Sequence, residues 1–168
     1  MNKAILFIFS GLPAVGKSTL AKSVVKHFGA VYLRIDTIEQ GLKDLCHIDI
    51  EGEGYRLAYR MAADNLQLGN NVVADCCNPI ELTRQEWEDV AVNNNCRFVN
   101  IEVVCSDKTE HKKRAEQRNA EVANMKLPMW NDIENREYHE WHKSCIIIDT
   151  AGKTIRQCQT ELKEKGCP

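Results

Sequence analysis

The strongest restriction on the fold comes from segment 11–18, Gly-Leu-Pro-Ala-Val-Gly-Lys-Ser, which matches the pattern G-x-x-x-x-G-K-[ST]. It follows a short apolar run, Ala4 to Phe9, which is typical of a buried parallel strand, and it precedes a helical pattern from Ser18 to Phe28. A loop with glycine at both ends in this position can form a nest of backbone N–H groups that binds phosphate oxygens. A glycine-rich turn without a ligand is the alternative. The predicted phosphate-binding loop consists of Gly11, Leu12, Pro13, Ala14, Val15, Gly16, Lys17, Ser18 and Thr19.

Lys17 and Ser18 indicate which phosphate compound this loop binds. A lysine at this position reaches the β- and γ-phosphates of a nucleoside triphosphate, and the serine hydroxyl is a ligand for magnesium. We therefore expect ATP with Mg²⁺, and we expect the terminal phosphoryl group to pass to a small acceptor.

Short apolar runs alternate with helical patterns along the rest of the chain. The predicted strands are Ala4 to Phe9, Val31 to Leu33, Val72 to Ala74, Phe98 to Val104 and Cys145 to Ile148. The predicted helices are Ser18 to Phe28, Ile38 to Cys46, Tyr55 to Leu68, Leu82 to Asn93, Thr109 to Ala123 and Ile155 to Lys165. This alternation predicts a doubly wound α/β sheet with ligands at the carboxyl ends of its strands. Without a repeat or a linker, residues 1–168 read as one domain.

Two aspartates follow predicted strands and are candidates for the chemistry. Asp75 ends a strand, where an acidic group near magnesium is required, although it could instead cap the next segment. Asp36 follows the short second strand and could accept the proton of an attacking hydroxyl. Its spacing from Glu39 also matches a capping box, and both roles are compatible. Cys76 follows Asp75 where hydrolysing ATPases usually carry Glu, which disfavours hydrolysis.

The stretch 107–140 differs in composition from the rest of the chain, because it is charged, poor in strand-forming residues and interrupted by Pro128. It could be a mobile helical lid or a solvated surface helix with a loop. Arg114 and Arg118 are four residues apart, so on a helix they would share a face and could close together over the triphosphate. A solvated basic face is the alternative.

Composition limits the partners. The 22 basic and 24 acidic residues give a net charge of -2, which argues against non-specific nucleic-acid binding. The apolar run near the start is too short to span a bilayer, so we expect a cytoplasmic protein without a membrane partner. Eight cysteines without C-x-x-C spacing are expected to be reduced and structural.

The order and spacing of these motifs resemble the small P-loop kinases, an AAA-type ATP-binding group. Its relatives are gluconate and shikimate kinases, chloramphenicol phosphotransferase, zeta-toxin kinases and the kinase domain of polynucleotide kinase. The resemblance covers nearly the whole chain. Its carriers are Gly11 to Leu20, Arg34-Ile-Asp36, Gly69 to Asp75 with Asn78-Pro79, Val104 to Asp107 leading into Arg114 and Arg118, Arg136-Glu-Tyr138 and Ile148-Asp-Thr150.

The resemblance implies a P-loop NTPase fold with a five-stranded parallel sheet between helices, a short helical lid at about 107–140, and ATP lying across the loop. It implies that Asp36 acts as the base and that Arg114 and Arg118 contact phosphates. The backbone at Asp149 and Thr150 would border the adenine. Arg34 and Asn78 would face the acceptor. The pair Cys76-Cys77 departs from the small or hydroxyl residues expected there.

Three functions are compatible with these residues. The favoured one is an ATP-dependent phosphotransferase acting on a hydroxyl of a small metabolite, nucleoside or antibiotic. A polynucleotide 5′-hydroxyl kinase should show a basic groove, which the charge of -2 does not indicate. A non-catalytic ATP-binding regulatory module is the third, against which the intact Lys17, Ser18, Asp36 and Asp75 argue. The acceptor and the oligomeric state are not readable from the sequence.

Overall fold

The computed structural model describes residues 3–168. The strands are β1 (Ile5–Ser10), β2 (Val31–Arg34), β3 (Val72–Asp75), β4 (Arg97–Val104) and β5 (Ile146–Asp149). The helices are α1 (Lys17–Phe28), α2 (Ile35–Cys46), α3 (Glu53–Gln67), α4 (Glu81–Asn93), α5 (Lys108–Gln117), α6 (Trp130–Glu134) and α7 (Ile155–Glu164). All five predicted strands are therefore present.

The sheet is parallel, with strand order β2-β3-β1-β4-β5. The first strand of the chain is its centre: Leu6 lies opposite Val72 of β3 on one side and Phe98 of β4 on the other. Parallel strands end at one edge, so the loops after β1, β2 and β3 meet there. The predicted fold class, a five-stranded parallel sheet flanked by helices, is confirmed.

Alternate residues of β1 face two separate hydrophobic layers, as the two-residue period of a strand requires. Phe7 and Phe9 pack in the layer that includes Val24 of α1 and Leu162 of α7. Leu6 and Ile8 pack in the opposite layer, which includes Ala58 of α3 and Trp87 of α4. Because both faces are covered, the central strand is a continuous apolar run. No helix within residues 3–168 has the length and apolar character needed to cross a membrane.

Helix α2 begins earlier than predicted, and this changes the environment of Asp36. The helix starts at Ile35, its N-cap is Arg34, and no side chain caps it. Asp36 lies in the first turn rather than at the cap. The proposed capping box between Asp36 and Glu39 is therefore wrong. An acidic side chain in the first turn still interacts favourably with the helix dipole.

The predicted helix 109–123 is correct only in its first half. Helix α5 ends at Gln117, and Arg118 follows it with extended backbone angles (φ -74°, ψ 149°). None of residues 118–129 is buried, so no apolar face stabilises a longer helix there. The short helix α6, which the sequence did not indicate, follows this irregular stretch.

Candidate active site

The phosphate-binding loop has the backbone conformation of an anion nest. Gly11, Ala14 and Gly16 all have positive φ, at 134°, 68° and 100°. A Cβ atom on Gly11 would lie 2.2 Å from the carbonyl oxygen of Val103, so only glycine fits at that position. The amide of Gly11 donates to the carbonyl of Cys77 at 3.0 Å, which ties the loop to the end of β3.

Helix α1 presents an uncapped amino end to this loop. It begins at Lys17, its N-cap is Gly16, no side chain caps it, and its first turn contains no acidic residue. The first N–H groups of a helix need acceptors, and a phosphate can supply them. The Lys17 ammonium folds back to donate to the carbonyl of Leu12 at 3.2 Å. A bound phosphate would compete with this carbonyl for the ammonium.

The loop opens into a cavity of about 630 Å³ at the carboxyl edge of the sheet. The cavity brings together most of the residues that the sequence singled out: Pro13, Ala14, Gly16, Lys17, Ser18, Thr19, Arg34, Asp36, Asp75, Arg114 and Arg118. It also has lining residues that the sequence did not single out for this role: Glu39, Cys76, Cys77, Asn119, Glu121, Met125, Lys126, Leu127, Pro128, Asp132 and Arg136. A volume of this size is typical of small-ligand sites.

Asp75 is almost fully buried and is held by a partner that sequence reasoning missed. The hydroxyl of Tyr32 donates to Asp75 Oδ2 at 2.6 Å. Burial, together with the negative charge of Asp75, raises the pKa of Tyr32 far above its ordinary value, so the phenol stays a donor. The register that pairs β2 with β3 places Tyr32 on the strand next to Asp75. In the sequence, only the position of Tyr32 on a short predicted strand could have indicated this role.

Ser18 and Asp75 together could hold a magnesium ion that arrives with the nucleotide. With Oδ2 engaged by Tyr32, the Oδ1 atom of Asp75 remains available as a hard oxygen ligand. Residues 3–168 contain no group of three or more His, Cys, Asp or Glu side chains placed for metal binding. Magnesium bound to ATP needs only one or two protein oxygens, because phosphates and water complete its coordination. The donor set therefore fits nucleotide-bound magnesium.

The cavity wall at the end of β2 carries three acidic groups and one arginine. Arg34 makes an ion pair with Glu121 at 2.9 Å and lies 3.8 Å from Asp36. About half of the Asp36 side chain is exposed (47%), so the carboxylate is accessible from the cavity. Burial, together with the negative charge of Asp36, raises the pKa of Glu39. This wall therefore offers several hydrogen-bond acceptors for hydroxyl groups.

Arg114 and Arg118 do not share a helix face, contrary to the sequence-based expectation. Arg114 lies on α5 and donates to Thr150 Oγ1 at 2.8 Å and to the Thr150 carbonyl at 3.0 Å. It also pairs with Glu110. Arg118 lies beyond the helix, and its Nε and Nη2 atoms are buried without a hydrogen-bond partner in the described part of the chain. The two arginines therefore have separate surroundings.

Thr150 connects the end of β5 to the phosphate-binding loop. Its hydroxyl lies 2.8 Å from the Val15 carbonyl and 3.0 Å from the Val104 carbonyl. Asp149 accepts the amides of Ser106 and Ala151, both at 3.0 Å, and so shapes the turn after the strand. A smaller cavity of about 230 Å³ lies beside the loop and is lined by Ala14, Gly16, Thr19, Leu20, Arg114, Thr150, Lys153, Ile155 and Cys158.

Asn78 is placed behind the cavity wall and is not among the described residues that line it. It is fully buried, has a left-handed backbone (φ 46°), and donates from Nδ2 to the Phe9 carbonyl at 3.1 Å. This geometry gives Asn78 a structural role and does not support direct contact with an acceptor. Cys76 and Cys77 both line the cavity; Cys76 is buried and its thiol donates to the same carbonyl at 3.4 Å. All eight cysteines of the chain are free.

Arg84 of α4 fixes the segment 138–141. It is buried, and its guanidinium donates to the carbonyls of Asn78, His139 and Glu140 at 2.7 to 3.1 Å. The same group lies 5.0 Å from the ring centroid of Tyr138 and 4.4 Å from that of Trp141. These contacts hold the segment 138–141 against α4.

Comparison with known proteins agrees with this geometry. The sequence matches the family described as an AAA domain over residues 6–134, and no curated protein matches it significantly. The chain is similar to a gluconokinase from Sinorhizobium meliloti, with 11% identity, a TM-score of 0.68, and coverage of 98% of this chain and 93% of that chain. It is similar to the APS kinase of Mycobacterium tuberculosis in complex with AMPPNP and APS, with 16% identity, a TM-score of 0.70 and coverage of 98% of both chains.

A third similar structure is Kti12 from Chaetomium thermophilum in complex with ADP-AlF3, with 18% identity and a TM-score of 0.69. The match covers 95% of this chain and 96% of that chain. At these identities the likeness establishes a shared fold.

Proposed function

The chain belongs to the AAA domain family, and we propose that within this family it is an ATP-dependent kinase that moves the γ-phosphoryl group to a hydroxyl of a small molecule. One observation carries the proposal: a complete phosphate-binding loop opens into the same cavity as the half-exposed carboxylate of Asp36. Phosphoryl transfer requires a phosphate-donor site and a proton acceptor close together, and here they share one cavity.

ATP would lie across the loop, with its phosphates on the N–H groups of segment 11–19. Lys17 would leave the Leu12 carbonyl to bind the β- and γ-phosphates. The smaller cavity beside Thr150 and Ile155 offers a site for the adenine. Asp149 would contribute by holding the turn that forms this cavity, because its carboxylate is occupied by two backbone amides.

In the transfer step, the acceptor oxygen attacks the γ-phosphorus, the bond to the β-phosphate oxygen breaks, and the hydroxyl proton moves to Asp36. Lys17 and Arg114 would hold the phosphate oxygens in position. Ser18 and Asp75 would hold a magnesium ion, which would supply positive charge against the phosphates. Tyr32 would keep the Asp75 carboxylate in place for this role, because its hydroxyl donates to Oδ2.

The residue after Asp75 supports transfer to an acceptor rather than hydrolysis. Cys76 is buried, and burial raises the pKa of its thiol well above the ordinary value. A neutral buried thiol cannot activate a water molecule for attack on ATP. Of the accessible carboxylates in the cavity, Glu121 pairs with Lys22 and Arg34, whereas Asp36 lies 3.8 Å from Arg34 and is half exposed.

The test measures acceptor-dependent ADP release with Mg²⁺ and ATP against sugars, nucleosides, antibiotics and short 5′-hydroxyl oligonucleotides, with Lys17→Ala as the blank. Asp36→Asn should lower turnover at least about a hundredfold and leave ATP affinity nearly unchanged, because a general base acts only in the transition state. Asp64→Asn on the exposed face of α3 is the matched control.

Full activity of Asp36→Asn would exclude Asp36 as the base. Activity confined to oligonucleotides would favour a polynucleotide kinase. Tight ATP binding without ADP release for any acceptor would favour a non-catalytic ATP-binding module.

A further inference from the structure

Two arginines of the large cavity lack an anionic partner. Neither Arg118 nor Arg136 has a carboxylate within 4.0 Å anywhere in residues 3–168, whereas Arg34 in the same cavity is paired with Glu121. Arg118 Nε and Nη2 are buried without a hydrogen-bond partner. The side chain of Arg136 has one polar contact, 3.9 Å from Nη1 to the sulfur of Cys77.

Burial without a partner is unfavourable for the Arg118 guanidinium, whereas Arg136 is exposed. Burial lowers the pKa of Arg118, and the positive charges of Arg34 and Arg136 add to that effect, while Asp36 opposes it. Buried charged groups in proteins are normally paired and hydrogen-bonded, because an unpaired one loses its hydration without compensation. Guanidinium groups that lie together at a cavity wall without a carboxylate in ion-pair contact are typical of a site that binds an anion.

The phosphates of ATP are not the expected partners of Arg118 and Arg136. They already have the N–H nest of the loop, the amino end of α1 and Lys17, with Arg114 beside Thr150. The charged groups that act on Arg118 belong instead to the wall around Asp36, where the acceptor hydroxyl must lie. The anion is therefore expected on the acceptor.

We propose, as an extension of the proposed kinase function, that the acceptor carries an anionic oxygen group in addition to its hydroxyl, and that Arg118 and Arg136 bind this group beside Asp36. A phosphate monoester fits best, because its charge of nearly -2 matches two guanidinium groups and its oxygens match their planar forks. Asp36 and Glu39 would accept hydrogen bonds from the neighbouring hydroxyls. The anionic group is recognised and is not changed in the reaction.

The first test measures anion binding without turnover. The protein is saturated with Mg²⁺ and AMPPNP, so that the nucleotide phosphates fill the loop, and its thermal unfolding is followed during titration with sulfate at constant ionic strength. We expect sulfate to stabilise this complex, and the sulfate Kd to rise about tenfold or more in Arg118→Gln and Arg136→Gln. The exposed Arg60→Gln on α3 is the matched control.

The proposal would be overturned if sulfate did not stabilise the unaltered protein, or if it stabilised all variants equally. If Arg118→Gln does not fold, Arg118→Lys keeps the charge and removes the fork, and the same loss of sulfate affinity is expected from it. A weaker affinity for AMPPNP itself in the arginine variants would overturn the proposal in another way, because it would assign these side chains to the nucleotide.

The second test uses matched acceptors: glycerol with glycerol 3-phosphate, ribose with ribose 5-phosphate, and a nucleoside with its 3′- and 5′-monophosphates. We expect a higher kcat/KM for the anionic member of the productive pair. Arg118→Gln should abolish this preference and leave the KM for ATP unchanged.

A preference for the neutral member would refute the anion site while leaving the kinase function intact. Lack of Lys17-dependent ADP release with every pair would contradict the kinase function, and the sulfate titration would still decide the role of the arginines.

Discussion

Replacing Gly11 by alanine tests whether the phosphate-binding loop depends on the close approach of its first residue to β4. The added Cβ would meet the Val103 carbonyl oxygen at 2.2 Å, and the backbone has φ 134°, where alanine is strained. Backbone strain of this kind costs about 1–3 kcal/mol and overpacking costs about 1–3 kcal/mol. We expect a loss of about 4 kcal/mol, which lowers Tm by about 10 °C in a chain of this length.

Gly69→Ala separates the two contributions. Gly69 also has a positive φ, 84°, but an added Cβ would meet nothing within 4 Å. This variant should lose only about 1–2 kcal/mol from backbone strain. Both substitutions reduce the entropy of the unfolded chain in the same way, so this effect cancels in the comparison.

The assay is thermal unfolding followed by circular dichroism, with the Kd of a fluorescent ATP analogue as a second readout. Gly11→Ala should also weaken nucleotide binding, because the loop must move away from Val103, whereas Gly69→Ala should not. Equal losses of Tm in the two variants would refute the steric argument.

Three further outcomes follow from contacts around the site. Tyr32→Phe removes the donor to Asp75 and should raise the Mg²⁺ concentration needed for half-maximal nucleotide binding about tenfold; an unchanged magnesium titration would exclude this positioning role. The pKa of Glu39 is raised by burial and by Asp36, so its ionisation costs stability as pH rises through that value. Glu39→Gln should therefore raise Tm at about pH 8 and not at about pH 4. A rise in Tm at about pH 4 alone would contradict the conclusion that ionised Glu39 destabilises the protein. Arg84→Met leaves three backbone carbonyls without their donor and should lower the free energy of unfolding by about 3 kcal/mol, measured by denaturant titration of tryptophan emission. A loss below about 1 kcal/mol would show that water replaces the guanidinium.

The sheet and the phosphate-binding loop could be predicted from the sequence because both depend on local patterns. Strands covered on both faces are continuous apolar runs, and the loop pattern fixes its own backbone conformation. The boundary of α5 could not be predicted, because the charge pattern that suggests a helix continues past Gln117 while the apolar contacts that would stabilise one do not.

The remaining site residues depend on contacts between distant segments. Tyr32 becomes important only because β2 pairs with β3, and Arg136 because the chain returns to the cavity after α6. The family resemblance implied that Asn78 would face the acceptor, but Asn78 is buried and its amide donates to the Phe9 carbonyl. No spacing rule contains that information.

The central position of β1 has a consequence for how the protein is made. Its partners in the sheet lie far along the chain: Leu6 pairs with Val72, and Ile5 pairs with Arg97. At about 5–20 residues per second, a ribosome needs several seconds or more between synthesising β1 and synthesising β4. During this interval the apolar hexapeptide of β1 has no sheet to enter, and such segments aggregate readily. Protection of the nascent chain by a chaperone that holds short extended apolar segments should therefore raise the yield of folded protein.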